Sequence, residues 1–332
     1  MAVHDHPATV GRARESFAKT SDIDEFVEML EKYERGEISA DDWRRFRLLR
    51  GTYGQRQDDL HMLRIKIPQG LLTADQLYAL ADVADWYSRG FGHITTRQNM
   101  QFHFVKLHDA EKAHRRVAEV GMTTREACGN SVRNITNCPY AGVSPTEAFD
   151  VTPYSEAMTR YFLRHPLSGV LPRKFKIGFE GCAEDHVKAA INDIGLIGRI
   201  QDGRRGFRML VAGGTSIMPV SGYVLYDFLP AGEILAAAEA VVRVFHDLGD
   251  YKNKHKNRIK FLVRKLGWDQ FRAEFEKRLA DVRAEGAPSL PFDPETVEGE
   301  PAPDWERPAP PSVADVAARV LSGEVRGPGI RP

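Results

Sequence analysis

The sequence predicts an α+β protein: a small ferredoxin-like unit followed by a larger region of strands and helices. Three observations carry this. Alternating runs at Leu60–Ile67 and Met100–Val105 bracket a helix that Thr73 caps, and a second helix closes a β-α-β-β-α unit of some 60 residues. Two further alternating runs, 194–200 and 206–211, flank Asp202-Gly203, a hairpin turn signal. Ahead of that hairpin lies LPRKFKIGF, 171–179, strand-like and crowded with cations.

In chain order, residues 1 to about 20 read as disordered. A helix follows with Ser21 as its cap and Ile23, Phe26, Val27 and Leu30 on one stripe. A second short helix covers about 39–49, and GTYGQRQ, 51–57, reads as a polar loop. The ferredoxin-like unit has strands at 60–67, 91–95 and 100–105 and helices at 73–89 and 109–120, giving an antiparallel sheet with helices on one face. It is short for a self-sufficient core and is expected to pack on its neighbour. The stretch 123–145 is rich in Asn, Gly, Cys and Pro and reads as a long functional loop. Then come a helix at 154–164, the LPRKFKIGF strand, a short turn near 185–190, the hairpin, and a glycine corner at 212–214. A strand at 223–228 and helices at 233–248 and 268–285 complete the unit. From Ala287 proline and acidic residues dominate, as in a linker.

Bulk properties narrow the class. The 332 residues carry 46 basic and 46 acidic side chains, so no net charge draws the chain to nucleic acid or to a membrane surface. No apolar run approaches the ~20 residues of a membrane span. The amino terminus has no apolar signal region, and three scattered cysteines argue against a disulfide framework; a soluble cytoplasmic protein is expected.

The cations are the candidate chemistry. Lys174 and Lys176 point the same way in an extended strand. At ~4 Å and an effective dielectric of about 20 their repulsion costs ~4 kcal/mol. Water relieves that on an edge strand, where lysines also guard against aggregation; otherwise the pair needs an anion. Arg64 sits in the first strand and Arg97 in TTRQNMQFH. Arg133 is hemmed by Asn130, Asn134 and Asn137, which can hold its guanidinium fork for an oxyanion. The basic run 252–260 reads first as a wet surface. The histidines show no HExxH or zinc spacing, so no metal ligand is assigned, and His103 reads as structural. Gly213-Gly214 is a weak phosphate-loop hint. A 4Fe-4S cluster needs four thiolates, which Cys128, Cys138 and Cys182 cannot supply; Cys138 reads as a buried thiol.

Laid out in order, GTYGQRQ, MLRIKIPQG, TTRQNMQFH, NSVRNITNCP, LPRKFKIGF, LVAGGTS and KNRIKF resemble the siroheme-containing nitrite and sulfite reductases. The resemblance runs from about Trp43 to Leu279. It implies a ferredoxin-like half domain at 57–122 after an arm of short helices at 1–56. A siroheme-binding α/β domain with a mixed or antiparallel sheet follows at 123–285, and 286–332 is a proline-rich linker to a second half. It places the anion site on Arg64, Arg133, Lys174 and Lys176. Cofactor carboxylate contacts fall on Arg97 and Gln101, on Arg133 and Lys174, and on Arg258 and Lys260.

Lys-x-Lys at 174–176 leans to sulfite over nitrite. The implied activity is six-electron reduction of sulfite to sulfide, with nitrite reduction to ammonia, or a non-catalytic siroheme-binding half, as alternatives. Ferredoxin or a similar donor is implied. The family's cluster cysteines lie in the second half, so a missing C-terminal half, in the same gene or a separate chain, is expected to supply the 4Fe-4S cluster and the iron's thiolate.

Overall fold

The computed structural model describes residues 15–253, 255–297 and 312–322. Helices α1 (Thr20–Glu34) and α2 (Ala40–Leu49) open the chain. Strands β1 (Thr52–Gly54), β2 (Leu60–Ile65), β3 (His93–Ile94) and β4 (Met100–Lys106) form an antiparallel sheet in the order β1-β2-β4-β3. Helices α3 (Ala74–Tyr87) and α4 (Leu107–Ala118) pack with it. Thr73 caps α3 as its sequence suggests: its hydroxyl accepts the Gln76 amide at 3.2 Å, and the Gln76 carbonyl accepts the Thr73 amide at 3.0 Å.

A second sheet is mixed. Strands β5 (Thr136–Asn137), β6 (Ile177–Glu180) and β7 (Ile194–Gln201) run parallel. Strands β8 (Arg204–Val211) and β9 (Tyr223–Pro230) continue it antiparallel, in the order β5-β6-β7-β8-β9. Helices α5 (Thr152–Phe162), α6 (Ile234–Leu248), α7 (Ile259–Leu266) and α8 (Trp268–Ala284) accompany it. The Asp202-Gly203 turn has both residues at positive φ, 52° and 75°, which suits the twist of a two-residue hairpin.

Each sheet has its own core. Phe26, Trp43, Leu63, Val83 and Phe102 centre the first. In the second, Phe207 meets the rings of Phe149, Tyr154 and Phe179 at centroid distances of 5.4, 5.3 and 5.6 Å. Such ring pairs add roughly 0.5–1.5 kcal/mol each beyond their burial. Both cores lie in one compact unit, 1–300.

Several sequence expectations change. Helix α1 begins at Thr20 with Lys19 at its cap position, so Ser21 is inside the first turn. Phe17 is buried and its amide donates to Gly121 O at 2.8 Å, so the chain is already packed before residue 20; residues 1–14 lie outside those described. GTYGQRQ is not all loop, because β1 pairs with β2. The LPRKFKIGF strand is not an edge: β6 lies between β5 and β7 and is buried along its length. Helix α7 grows out of the basic run. A further helix, α9 (Val313–Leu321), forms within the stretch read as linker, in a separate unit at 301–332. Among the described residues no helix is long and apolar enough to cross a membrane.

Candidate functional site: a cationic pocket

Five cations line one cavity of about 360 Å³: Arg64, Arg97, Arg133, Lys174 and Lys176. No carboxylate lines it among the described residues. Gln101, Asn99, Asn134 and His93 complete most of the polar wall. The elements explain the convergence. Arg64 on β2 stands opposite Gln101 on β4 in the antiparallel register. Arg97 sits in the turn that feeds β4, where Asn99 N donates to Thr95 Oγ1 at 3.1 Å. Arg133 and Lys174–Lys176 lie on two extended segments leading into β5 and β6. Those segments are joined by Arg133 N to Phe175 O at 2.8 Å and Phe175 N to Ser131 O at 2.8 Å. Phe175 is fully buried, so the alternation turns its two lysine neighbours to the other side.

The guanidiniums are held by oxygens that bear no formal charge. Arg133 donates to Gly129 O (3.0 and 2.8 Å) and Ala127 O (3.2 Å). Arg97 donates to Asn192 Oδ1 and Asn134 O at 2.7 Å and to Ile177 O at 2.9 Å, and its buried Nε has no acceptor among the described residues. Arg64 donates to Ala127 O at 3.3 Å. With its amide oxygen turned to Arg64, Gln101 also accepts from Arg64 Nε at 3.0 Å and donates to His93 Nδ1 at 3.3 Å.

Positive charge is therefore fixed but not neutralised. Burial, reinforced by neighbouring cations, lowers Arg97 and Arg133 to about 10 and Lys176 to about 8. Burial also lowers Lys174, with Arg133 and Arg258 beside it. The two ammonium groups meet no acceptor or carboxylate among the described residues.

Six sequence-assigned residues thus meet in one pocket: Arg64, Arg97, Gln101, Arg133, Lys174 and Lys176. Arg258 and Lys260 are not on its lining. Arg258 is paired with Asp193 at 2.7 Å, and Lys260 Nζ donates to the carbonyls of Thr215, Ile217 and Met218 at 2.9, 2.9 and 3.0 Å. The asparagines do not grip Arg133. Asn130 donates to Pro172 O, Asn134 to Ile67 O and Arg97 O, and Asn137 to Thr152 Oγ1, so they tie the loop to the scaffold. Gly213 is a packing glycine: a Cβ there would lie 2.0 Å from Ala190 O. Sequence reasoning passed over Asn99 and did not assign His93 to the site; Asn99 is two positions from both Arg97 and Gln101 and His93 is four before Arg97, which was the available signal. Cys138 and Cys182, 44 residues apart, are brought together with Sγ atoms 3.4 Å apart.

A ferredoxin-like half unit, a mixed-sheet domain and a cationic pocket lined from both define an α+β protein. Comparison with known proteins agrees. Residues 53–120 match the nitrite/sulfite reductase ferredoxin-like half domain, and residues 128–282 match the nitrite and sulphite reductase 4Fe-4S domain. The chain belongs to the nitrite and sulfite reductase family of oxidoreductases.

A ferredoxin–nitrite reductase of Leptolyngbya laminosa is 35% identical over 233 residues, 68% of this chain and 46% of that protein. A ferredoxin sulfite reductase of Mycobacterium tuberculosis is 32% identical over 216 residues, 65% of this chain and 39% of that one. The solved structure of the M. tuberculosis NirA protein superposes with a TM-score of 0.68 at 28% identity, covering 90% of this chain and 57% of that chain. Dissimilatory sulfite reductase I shares the fold, with a TM-score of 0.54 at 15% identity over 78% of each chain. The chain spans less than half the length of these two curated relatives.

Proposed function

We propose that this chain provides the cationic half of a siroheme and oxyanion site, and that the complete enzyme reduces sulfite to sulfide with six electrons drawn from ferredoxin. One observation carries the reading: five cations face one cavity that no carboxylate lines among the described residues. Such an arrangement repels itself until an anion enters.

The donor set fits a macrocycle rimmed with carboxylates. Among the described residues, the buried Nε of Arg97 has no acceptor and the ammonium groups of Lys174 and Lys176 have no partner. Arg97, Gln101, Arg133 and Lys174 are the residues to hold that rim. Arg64, Arg133, Lys174 and Lys176 are the residues to hold the oxyanion. When bound, siroheme supplies the iron through which electrons reach the oxyanion. The protein's part is electrostatic: fixed cations stabilise charge that builds on oxygen during reduction. Lys176, near 8, is protonated at neutral pH yet close enough to its midpoint to pass a proton to a departing oxygen. The 4Fe-4S cluster of the family does not fit this chain alone, because it holds three cysteines where four thiolates are required. A C-terminal half, in the same gene or on a partner chain, is the proposed source of those ligands, of the iron's thiolate and of the second wall.

Two lysines in one arm of the pocket favour sulfite, which is the more negative anion near neutral pH. Nitrite reduction to ammonia is the second reading, favoured by the 35% identity to the Leptolyngbya nitrite reductase. Replacing Lys176→Asn in the complete enzyme separates them. Turnover of sulfite is expected to fall relative to nitrite; an unchanged or rising ratio defeats the preference for sulfite.

A further inference from the structure

At the carboxyl end of β6, four residues beyond Lys176, a second constellation forms. Glu180, Cys182 and His186 lie on one short stretch with the spacing E-x-C-x3-H. Cys138 joins them from the end of β5, fixed by its amide donating to Phe179 O at 2.9 Å. One donor atom from each residue lies within 4.8 Å of every other.

The separations are informative. Cys138 Sγ is 3.4 Å from Cys182 Sγ and 3.5 Å from His186 Nδ1, and His186 Nδ1 is 3.9 Å from Glu180 Oε1. A tetrahedral ion with sulfur at ~2.3 Å and nitrogen or oxygen at ~2.0–2.2 Å sets its ligands ~3.3–3.8 Å apart. The observed distances are close to the edges of such a tetrahedron. Two thiolates 3.4 Å apart suit one ion and not two corners of a larger cluster. They are also not a disulfide, whose sulfurs stand at ~2.05 Å.

The surroundings add the charge argument. Glu180 is fully buried, and its Oε1 lies 3.9 Å from His186 Nδ1. Its two oxygens accept the amides of Cys182 and Val187, both at 2.9 Å, which orients the carboxylate and leaves lone pairs for a cation. A buried thiol pair needs no carboxylate and imidazole around it; a metal ion needs all four. The His186 side chain is 29% accessible, which provides an entry path, and the Tyr140 ring covers it edge-on at 4.8 Å.

We propose that Cys138, Glu180, Cys182 and His186 bind one divalent cation of the zinc type, in a closed structural site that clamps the 181–187 loop to the end of β5. Binding displaces the two thiol protons to solvent. Four protein ligands leave no open position, so the ion stabilises and does not catalyse.

The full chain, stripped with chelator under reducing conditions, tests this by titration with cobalt(II). About one equivalent is expected to produce visible bands of tetrahedral cobalt and a thiolate-to-cobalt charge-transfer band. Zinc is expected to displace both and to raise the melting temperature. Cys182→Ser is expected to abolish the charge-transfer band or weaken binding by ~10-fold or more. If that variant misfolds, His186→Gln, altering a partly exposed side chain, is expected to weaken cobalt binding likewise. A folded wild-type chain without thiolate–cobalt bands overturns the proposal. So does unchanged binding in folded variants, or peptide mapping that finds Cys138 and Cys182 joined to each other in protein prepared under reducing conditions.

Discussion

Asp193 serves the backbone of Lys176 and not its ammonium: Lys176 N donates to Asp193 Oδ2 at 2.7 Å. Both oxygens of that carboxylate are also held by Arg258, at 2.8 and 2.7 Å, and its side chain is wholly buried. The carboxylate behind the lysine segment is thus committed to the scaffold, which is why the pocket stays cationic. Asp193→Asn is expected to leave Arg258 buried without its charge partner and to destabilise the chain by about 3 kcal/mol or more. Denaturant unfolding measures it; a loss under about 1 kcal/mol would show that the pair is dispensable.

Lys176 gives a pH signature. Its pKa falls from 10.5 to about 8 in the fold, first through burial and then through Arg97 and Arg258. Between those values the unfolded chain binds the proton and the folded chain does not, so stability rises with pH across the window. Buried Lys66, also near 8, contributes in the same direction. Lys176→Met is expected to stabilise the cofactor-free chain near neutral pH and to flatten the rise above pH 8. Melting temperatures from pH 7 to 9, below the midpoints near 10 of Arg97 and Arg133, test it; an identical slope in both proteins refutes it.

Acid should act through His114. This ring is fully enclosed, edge-on to Phe26 at 4.9 Å and 3.4 Å from Thr52 Oγ1, and burial lowers it to about 4. The unfolded chain takes its proton near 6.5, so stability is complete above that pH and is lost as pH falls towards 4. The full loss from this residue is roughly 3 kcal/mol. His114→Gln is expected to reduce the acid-side slope by up to one proton, read from urea midpoints between pH 4 and 7.

Gly213 tests the packing reading of the glycine corner. A Cβ there meets Ala190 O at 2.0 Å and Asn192 O at 2.8 Å, and backbone cannot swing aside as a side chain can. Gly213→Ala is expected to cost about 1–3 kcal/mol or more. A neutral effect in thermal denaturation would reopen a ligand-binding role for the corner.

These cases show what the sequence made legible. Strand periodicity, the Thr73 cap and the Asp202-Gly203 turn are local signals, and the corresponding elements form. Arg64, Arg97, Gln101, Arg133, Lys174 and Lys176 were assigned from motif resemblance, and the fold brings them to one cavity. Local signals do not report partnership. The Asp193–Arg258 pair spans 65 residues, and nothing near KNRIKF reveals that Arg258 is taken. Cys138 and Cys182 have no short spacing because two parallel strands, not one loop, bring them together. The interior place of β6 was hidden because three cations precede it and suggest an edge.

The central claim is that the pocket is built for a polyanionic macrocycle. Titration of the purified full chain with siroheme, followed by absorbance, tests it most directly, with Lys174→Ala/Lys176→Ala as the comparison. The account predicts saturable uptake with a shift of the siroheme bands, weakened ~10-fold or more in the double variant, since each lost charge contact is worth about 1 kcal/mol or more. No uptake by the folded chain, or equal affinity in both proteins, would contradict it.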